Sequence, residues 1–167
     1  DVYKRQILSV VKHFPGQGAT AGDSHDGAVS TDKSLDDLLA NELVPFQQAV
    51  NNGASFVMVG HISAPAVTGD DTPASLSSVM VTDVLRNQLG FHGVVITDAM
   101  NMGAVTGTYS SADAAVTAIQ AGVDMILMPD DFQSAYQGVM DAVAGGTITE
   151  DRINESVARI IKVKLTM

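Results

Sequence analysis

Three stretches of the chain bring together side chains that can carry charge, move protons or attack an electrophilic carbon. In Lys12-His13-Phe14-Pro15-Gly16-Gln17-Gly18, and on through Asp23-Ser24-His25-Asp26-Gly27, a basic pair leads into a glycine-rich loop. Asp23 and His25 stand two apart, and alternate residues of an extended loop point the same way. A carboxylate on one imidazole nitrogen fixes the tautomer and supports the protonated form, so the other nitrogen can donate a proton near neutral pH. The competing reading is a solvated loop in which the two never meet. Lys12 and His13 are neighbours at a strand end and should face opposite ways. Both reach one ligand only if the backbone bends, for which Gly16 and Gly18 offer freedom. Otherwise Lys12 is a surface residue and His13 a satisfied core residue.

His61 ends the second stretch, Ser55-Phe56-Val57-Met58-Val59-Gly60-His61, and either lines a pocket or is structural. Asp98 ends the third, directly after Val94-Val95-Ile96-Thr97. A carboxylate at the mouth of a buried strand is costly unless it is paired or used. It can equally cap the following turn through backbone amides, and both readings stay open. His13, Asp23, His25 and His61 are conceivable metal ligands, but their spacing matches no tight motif such as His-Glu-x-x-His, so no metal is expected. No Gly-x-Ser-x-Gly elbow supports a serine nucleophile. No Gly-x-Gly-x-x-Gly opens a helix, so a dinucleotide lacks support and no cofactor is expected.

The elements that must position these residues alternate along the chain. Apolar runs predict strands at Ile7–Val11, Ser55–Val59, Val94–Thr97 and Met125–Met128. Between them, a stripe of Leu35, Leu38, Leu39, Leu43, Phe46 and Val50 predicts one helix from Ser34 to Asn51, capped by Ser34 and kinked at Pro45. Further helices are predicted at Ser78–Gln88, Ala112–Gln120, Phe132–Ala144 and Glu150–Leu165, with a long polar loop after His61. Strands that are apolar throughout belong to parallel sheets covered on both faces. Each strand delivers a polar or special residue at its carboxyl end: Lys12-His13, His61, Asp98 and Pro129. A (β/α)8 barrel builds its active site at that end, from eight strands and about 250 residues. With four strand candidates, the chain reads as the second half of such a barrel.

Composition narrows the partners. Of 167 residues, 46% are hydrophobic and 17% charged, enough for one packed core and too apolar for disorder. A net charge of −10 repels nucleic acid and anionic membranes. No apolar run approaches the ~20 residues that span a bilayer. Cysteine is absent, which excludes disulfides. Low charge and missing cysteine tilt the expectation towards the cell envelope or exterior rather than the cytoplasm. Residues 1–5 do not continue the strand pattern and read as a leader foreign to the fold, or as the end of a preceding helix; residues 6–167 form the barrel half.

In combination, the loop from Lys12 to Gly27, the stretch Val57-Met58-Val59-Gly60-His61-Ile62-Ser63-Ala64-Pro65, and Gly93-Val94-Val95-Ile96-Thr97-Asp98-Ala99-Met100-Asn101-Met102 resemble glycoside hydrolase family 3. More narrowly, they are similar to its bacterial β-N-acetylglucosaminidases, which act on peptidoglycan fragments. The likeness runs from about Gln6 to the chain end and departs from the family's Lys-His-Phe-Pro-Gly-His-Gly at Gln17. The resemblance implies a (β/α)8 barrel in which Asp98 is the nucleophile and His25, with Asp23, the acid/base dyad. It also implies that Lys12 and His13 hold the hydroxyls of the sugar ring. The substrate class implied is an N-acetylglucosamine-containing carbohydrate, a muropeptide or chitooligosaccharide, cleaved with retention. The partner implied is the missing first half of the barrel.

Three other readings are carried forward. A phosphorylase of the same fold would use phosphate in place of water, which a histidine repels less than a carboxylate does. A half-barrel with two open strand edges would be catalytically inert, or would dimerise to close itself. A carbohydrate-binding module without catalysis fits least, because such modules favour aromatic platforms, and aromatics are 5% here with no Trp.

Overall fold

The computed structural model describes residues 8–19 and 27–166. Four strands form one parallel sheet in the order β1 (Val10–Phe14), β3 (Phe56–Val59), β5 (Val94–Ala99), β6 (Met125–Leu127). A second, two-stranded parallel pair, β2 (Val29–Ser30) with β4 (Ile62–Ser63), lies beyond the sheet's sequence pattern and was not expected. The first strand begins at Val10 and runs through Lys12-His13 to Phe14 instead of stopping before them; Ile7 lies outside the described residues.

The expected long first helix is two helices, α1 (Leu35–Ala40) and α2 (Val44–Asn51). Pro45 sits in the first turn of α2, where a missing N–H costs nothing, so it starts a helix rather than kinking one. Ser34 caps α1, its hydroxyl accepting from Asp37 N at 3.2 Å while the Asp37 carboxylate bonds back. The polar loop after His61 contains the short helix α3 (Pro65–Thr68) and a 3₁₀ turn at Ala74–Leu76. Residues Val79–Gln88 wind as a π-helix, still bonded i to i−5 where Leu89 N reaches Val84 O at 2.9 Å. The remaining helices are α4 (Gly103–Thr106), α5 (Ser111–Ala121), α6 (Phe132–Ala144) and α7 (Glu150–Lys164).

Register divides the sheet into two faces. Val57 pairs with Val11 and Val95, and these side chains meet the helices over a core that includes Phe14, Leu38, Phe46, Met80, Leu85 and Phe91. Phe14 and Phe46 contact edge to face at 5.4 Å. On the opposite face Val94 is fully buried, while Val10, Phe56, Met58, Ile96, Met125 and Leu127 are half-buried or exposed. The strands read as apolar throughout because both faces are apolar, and among the described residues the helices pack against the face of Val11, Val57 and Val95.

Asp124, at the amino end of β6, ties the back of the fold together. Its carboxylate is fully buried and accepts from Arg86 Nη2 at 2.7 Å, Arg159 Nη1 at 2.9 Å, Ser156 Oγ at 2.6 Å and Val95 N at 2.9 Å. Arg152 completes the cluster, donating to Ile119 O at 3.0 Å and Val123 O at 2.6 Å. Burial lowers the pKa of both Arg86 and Arg152, with the Asp124 charge opposing the shift.

Candidate active site

Because the sheet is parallel, every strand delivers its carboxyl end to one rim, and β1, β3 and β5 bring His13, Gly60-His61 and Asp98 to it. Two irregularities in the ladder aim these groups. Between Val11 and Phe14, β1 advances three residues while β3 advances two, from Val57 to Val59. Likewise β5 advances from Ile96 to Ala99 while β6 goes from Met125 to Leu127. An extra residue of this kind breaks the alternation and redirects side chains, a common device beside active sites. An irregularity at Lys12-His13 thus lies in the strand itself, and Gly16 beyond it has a φ of 130°. The Lys12–His13 and Phe14–Pro15 peptides are cis.

Asp98 lies within β5 rather than after it. Thr97 turns towards the helices and is fully buried, so Asp98 faces the bare side of the sheet with its side chain 16% exposed. Oδ1 accepts from Ala99 N at 2.8 Å, while Oδ2 lies 3.5 Å from His13 Nε2. Capping and pairing, set out above as rival readings of Asp98, coexist on different oxygens. His13 belongs to β1, and β3 stands between it and β5, so the imidazole must pass over the end of β3. Gly60 makes room: a Cβ there would sit 3.3 Å from His13 Cβ. Lys12 is exposed beside it.

His61 is 1% exposed and both its ring nitrogens are engaged within the protein, Nδ1 with Ser75 Oγ at 2.8 Å and Nε2 with Ala99 O at 3.0 Å. Burial lowers its pKa, the Ala99 carbonyl and the Asp98 charge pull the other way, and His13 adds to the lowering. Beside it opens a cavity of about 340 Å³ lined by Ala28, Ser63, Asp71, Thr72 and Tyr109. Another cavity, about 300 Å³ between Gly53, His92, Arg159 and Lys162, lies at the amino ends of the strands, away from His13, His61 and Asp98.

Asp23 and His25 lie outside the described residues. Among the described residues no group of three or more His, Asp or Glu comes together as a metal site. Sequence reasoning missed Ser75, which looks like any loop serine, and Asp124, whose only signal is a carboxylate embedded in Gly122-Val123-Asp124-Met125-Ile126.

Comparison with known proteins identifies the family. The model of the glycosyl hydrolase family 3 N terminal domain matches residues 2–163. β-Hexosaminidase A of Pseudoalteromonas piscicida is 31% identical over 178 residues, covering 95% of this chain and 30% of that protein. β-Hexosaminidase LpqI of Mycobacterium tuberculosis is 35% identical over 166 residues, covering 95% and 42%. The chain therefore spans less than half the length of these relatives. Among solved structures, a family 3 β-N-acetylglucosaminidase from Paenibacillus sp. str. FPU-7 superposes with a TM-score of 0.93 at 37% identity, covering 96% of this chain and 31% of that one. A structure described as β-glucoside phosphorylase BglX superposes with a TM-score of 0.92 at 29% identity, covering 98% and 31%. With its parallel βα units and its rim of His13, Gly60 and Asp98, the chain belongs to the glycosyl hydrolase family 3 N-terminal domain, an α/β fold of the TIM-barrel kind.

Proposed function

We propose that the chain carries the nucleophile-bearing half of a retaining β-N-acetylhexosaminidase that releases terminal N-acetylglucosamine from peptidoglycan-derived or chitin-derived fragments. The observation that supports it most is the Asp98 carboxylate at the strand rim, with one oxygen held by Ala99 N–H and the other turned towards His13. Asp98 attacks the anomeric carbon and forms a glycosyl-enzyme ester. His25, kept protonated by Asp23, gives its proton to the leaving oxygen and then takes one from the water that releases the sugar. Lys12 and His13 hold ring hydroxyls, and the glycine-rich loop lets the dyad approach and withdraw.

In this reading the four strands are the last four of eight. The apolar face left bare by Val10, Phe56, Met58, Ile96, Met125 and Leu127 is the inner wall that the first four strands cover. An extracellular or envelope site is favoured, because a relative named as a secreted glycosyl hydrolase from Arthroderma benhamiae is 35% identical over 92% of the chain. Among the described residues no helix is long and apolar enough to cross a membrane.

The likeness to a protein described as a phosphorylase gives a second reading, transfer to phosphate instead of water. One experiment tests both. A chromogenic N-acetyl-β-glucosaminide is supplied to the chain joined to a first half-barrel, with and without inorganic phosphate, and the first-formed anomer is followed by NMR. Free β-N-acetylglucosamine, independent of phosphate, is expected. A sugar 1-phosphate would favour the second reading, and an α-anomer as first product would refute retention. The isolated chain is expected to be silent.

A further inference from the structure

We infer that Ser75 and His61 form a positioning pair that fixes the orientation of the Asp98 carboxylate through the main chain of Ala99, an inference that rests on Asp98 as the attacking group. His61 Nε2 faces the Ala99 carbonyl at 3.0 Å. A carbonyl only accepts, so Nε2 carries the proton. In the neutral ring Nδ1 is then bare, and the Ser75 hydroxyl, 2.8 Å away and fully buried, donates to it. Each buried polar atom is satisfied in this one arrangement, so the tautomer is fixed by the network rather than chosen by solvent.

The grip on the turn after Asp98 is double. The peptide joining Ala99 to Met100 is held at its carbonyl by His61 and at its N–H by Leu127 O, 2.9 Å from Met100 N. The preceding peptide offers the Ala99 N–H to Asp98 Oδ1 at 2.8 Å. With the first peptide clamped between the end of β3 and β6, the second cannot rotate freely, and Oδ1 stays occupied. Oδ2 is the oxygen left towards His13 and the open face. Ser75 is itself anchored to the end of β3, its N–H donating to Gly60 O at 3.1 Å. The chain of contacts thus runs from β3 through a buried serine and imidazole to the nucleophile's own turn. His61 touches no substrate in this scheme and is a positioning residue. The charged or titratable groups facing it are Asp98 and His13.

The test uses the full chain joined to a first half-barrel, with three variants. His61→Leu removes the donor, His61→Gln retains an N–H where Nε2 stood, and Ser75→Ala releases the tautomer. Misplacing a reacting group by about 1 Å costs about a hundredfold. For the chromogenic N-acetyl-β-glucosaminide, His61→Leu is therefore expected to lower kcat by about a hundredfold with KM nearly unchanged. Ser75→Ala should lower it by about tenfold, and His61→Gln should recover most of the loss. Independently of turnover, nitrogen NMR of the imidazole at about pH 8, where the ring is neutral, should show Nε2 protonated and Nδ1 bare. The Ala99 amide signal should move in His61→Leu and return in His61→Gln. A protonated Nδ1, an unmoved Ala99 amide, or wild-type kcat in a folded His61→Leu protein overturns the inference. Wild-type protein that is silent towards the glycoside while both NMR signatures are present overturns the glycosidase reading and supports the clamp.

Discussion

His13 and Gly60 touch across the end of β3: a Cβ built on Gly60 would stand 3.3 Å from His13 Cβ. The missing side chain at Gly60 leaves room for the imidazole to cross from β1 to the Asp98 carboxylate on β5. Gly60→Ala should therefore displace His13 by a few tenths of an ångström, with an overpacking cost of about 1 kcal/mol. The expected signature is a loss of kcat/KM larger than the loss of stability suggests, seen by comparing steady-state kinetics with a urea melt of the same preparation.

At the other end of the strands, Asp124→Asn strands three arginines around a neutral amide. Breaking a buried ion cluster from one side costs about 3–5 kcal/mol. A urea midpoint should fall accordingly, while kcat per folded molecule stays close to wild type because the cluster lies away from the rim.

Burial holds the His61 pKa below its ordinary value. When the pH falls through about 6.5, the unfolded chain takes up a proton at this position that the folded protein resists. Stability should fall with the pH from there until the lowered native value is reached, and below that this group adds no further loss. His61→Gln should flatten this part of the stability–pH curve, and the difference between the two curves separates it from the other histidines.

For the proposed dyad, His25→Ala should cost most where the leaving group needs a proton. A loss of about 10²–10⁴-fold is expected for sugar leaving groups. A nitrophenolate leaving group should show a much smaller loss, and equal losses on both would remove His25 as the acid.

Much of the rim was legible in advance, because an apolar run that hands over a charged residue at its carboxyl end is a pattern that sequence displays directly. Asp98 and His13 were found that way, and the structure brings them together. Their aim was not legible. It comes from one extra residue in β1 and another in β5, and a ladder register depends on the partner strand rather than on local residues. Pro45 was misjudged for a related reason: a proline marks a break, but only packing decides whether the helix bends there or begins anew. His61 offered no sequence sign of its partners, since Ser75 and Ala99 are 14 and 38 residues away. Asp23 and His25 rest on the family resemblance.

The most direct measurement is covalent trapping. A fluorinated N-acetylglucosaminide with a good leaving group, offered to the half-barrel-completed protein, should leave one sugar esterified to the peptide that contains Asp98. Peptide mapping by mass spectrometry reads it. One sugar mass on residue 98, absent from Asp98→Asn, is the predicted result; stable labelling at any other carboxylate, or turnover with no adduct at all, would contradict the account.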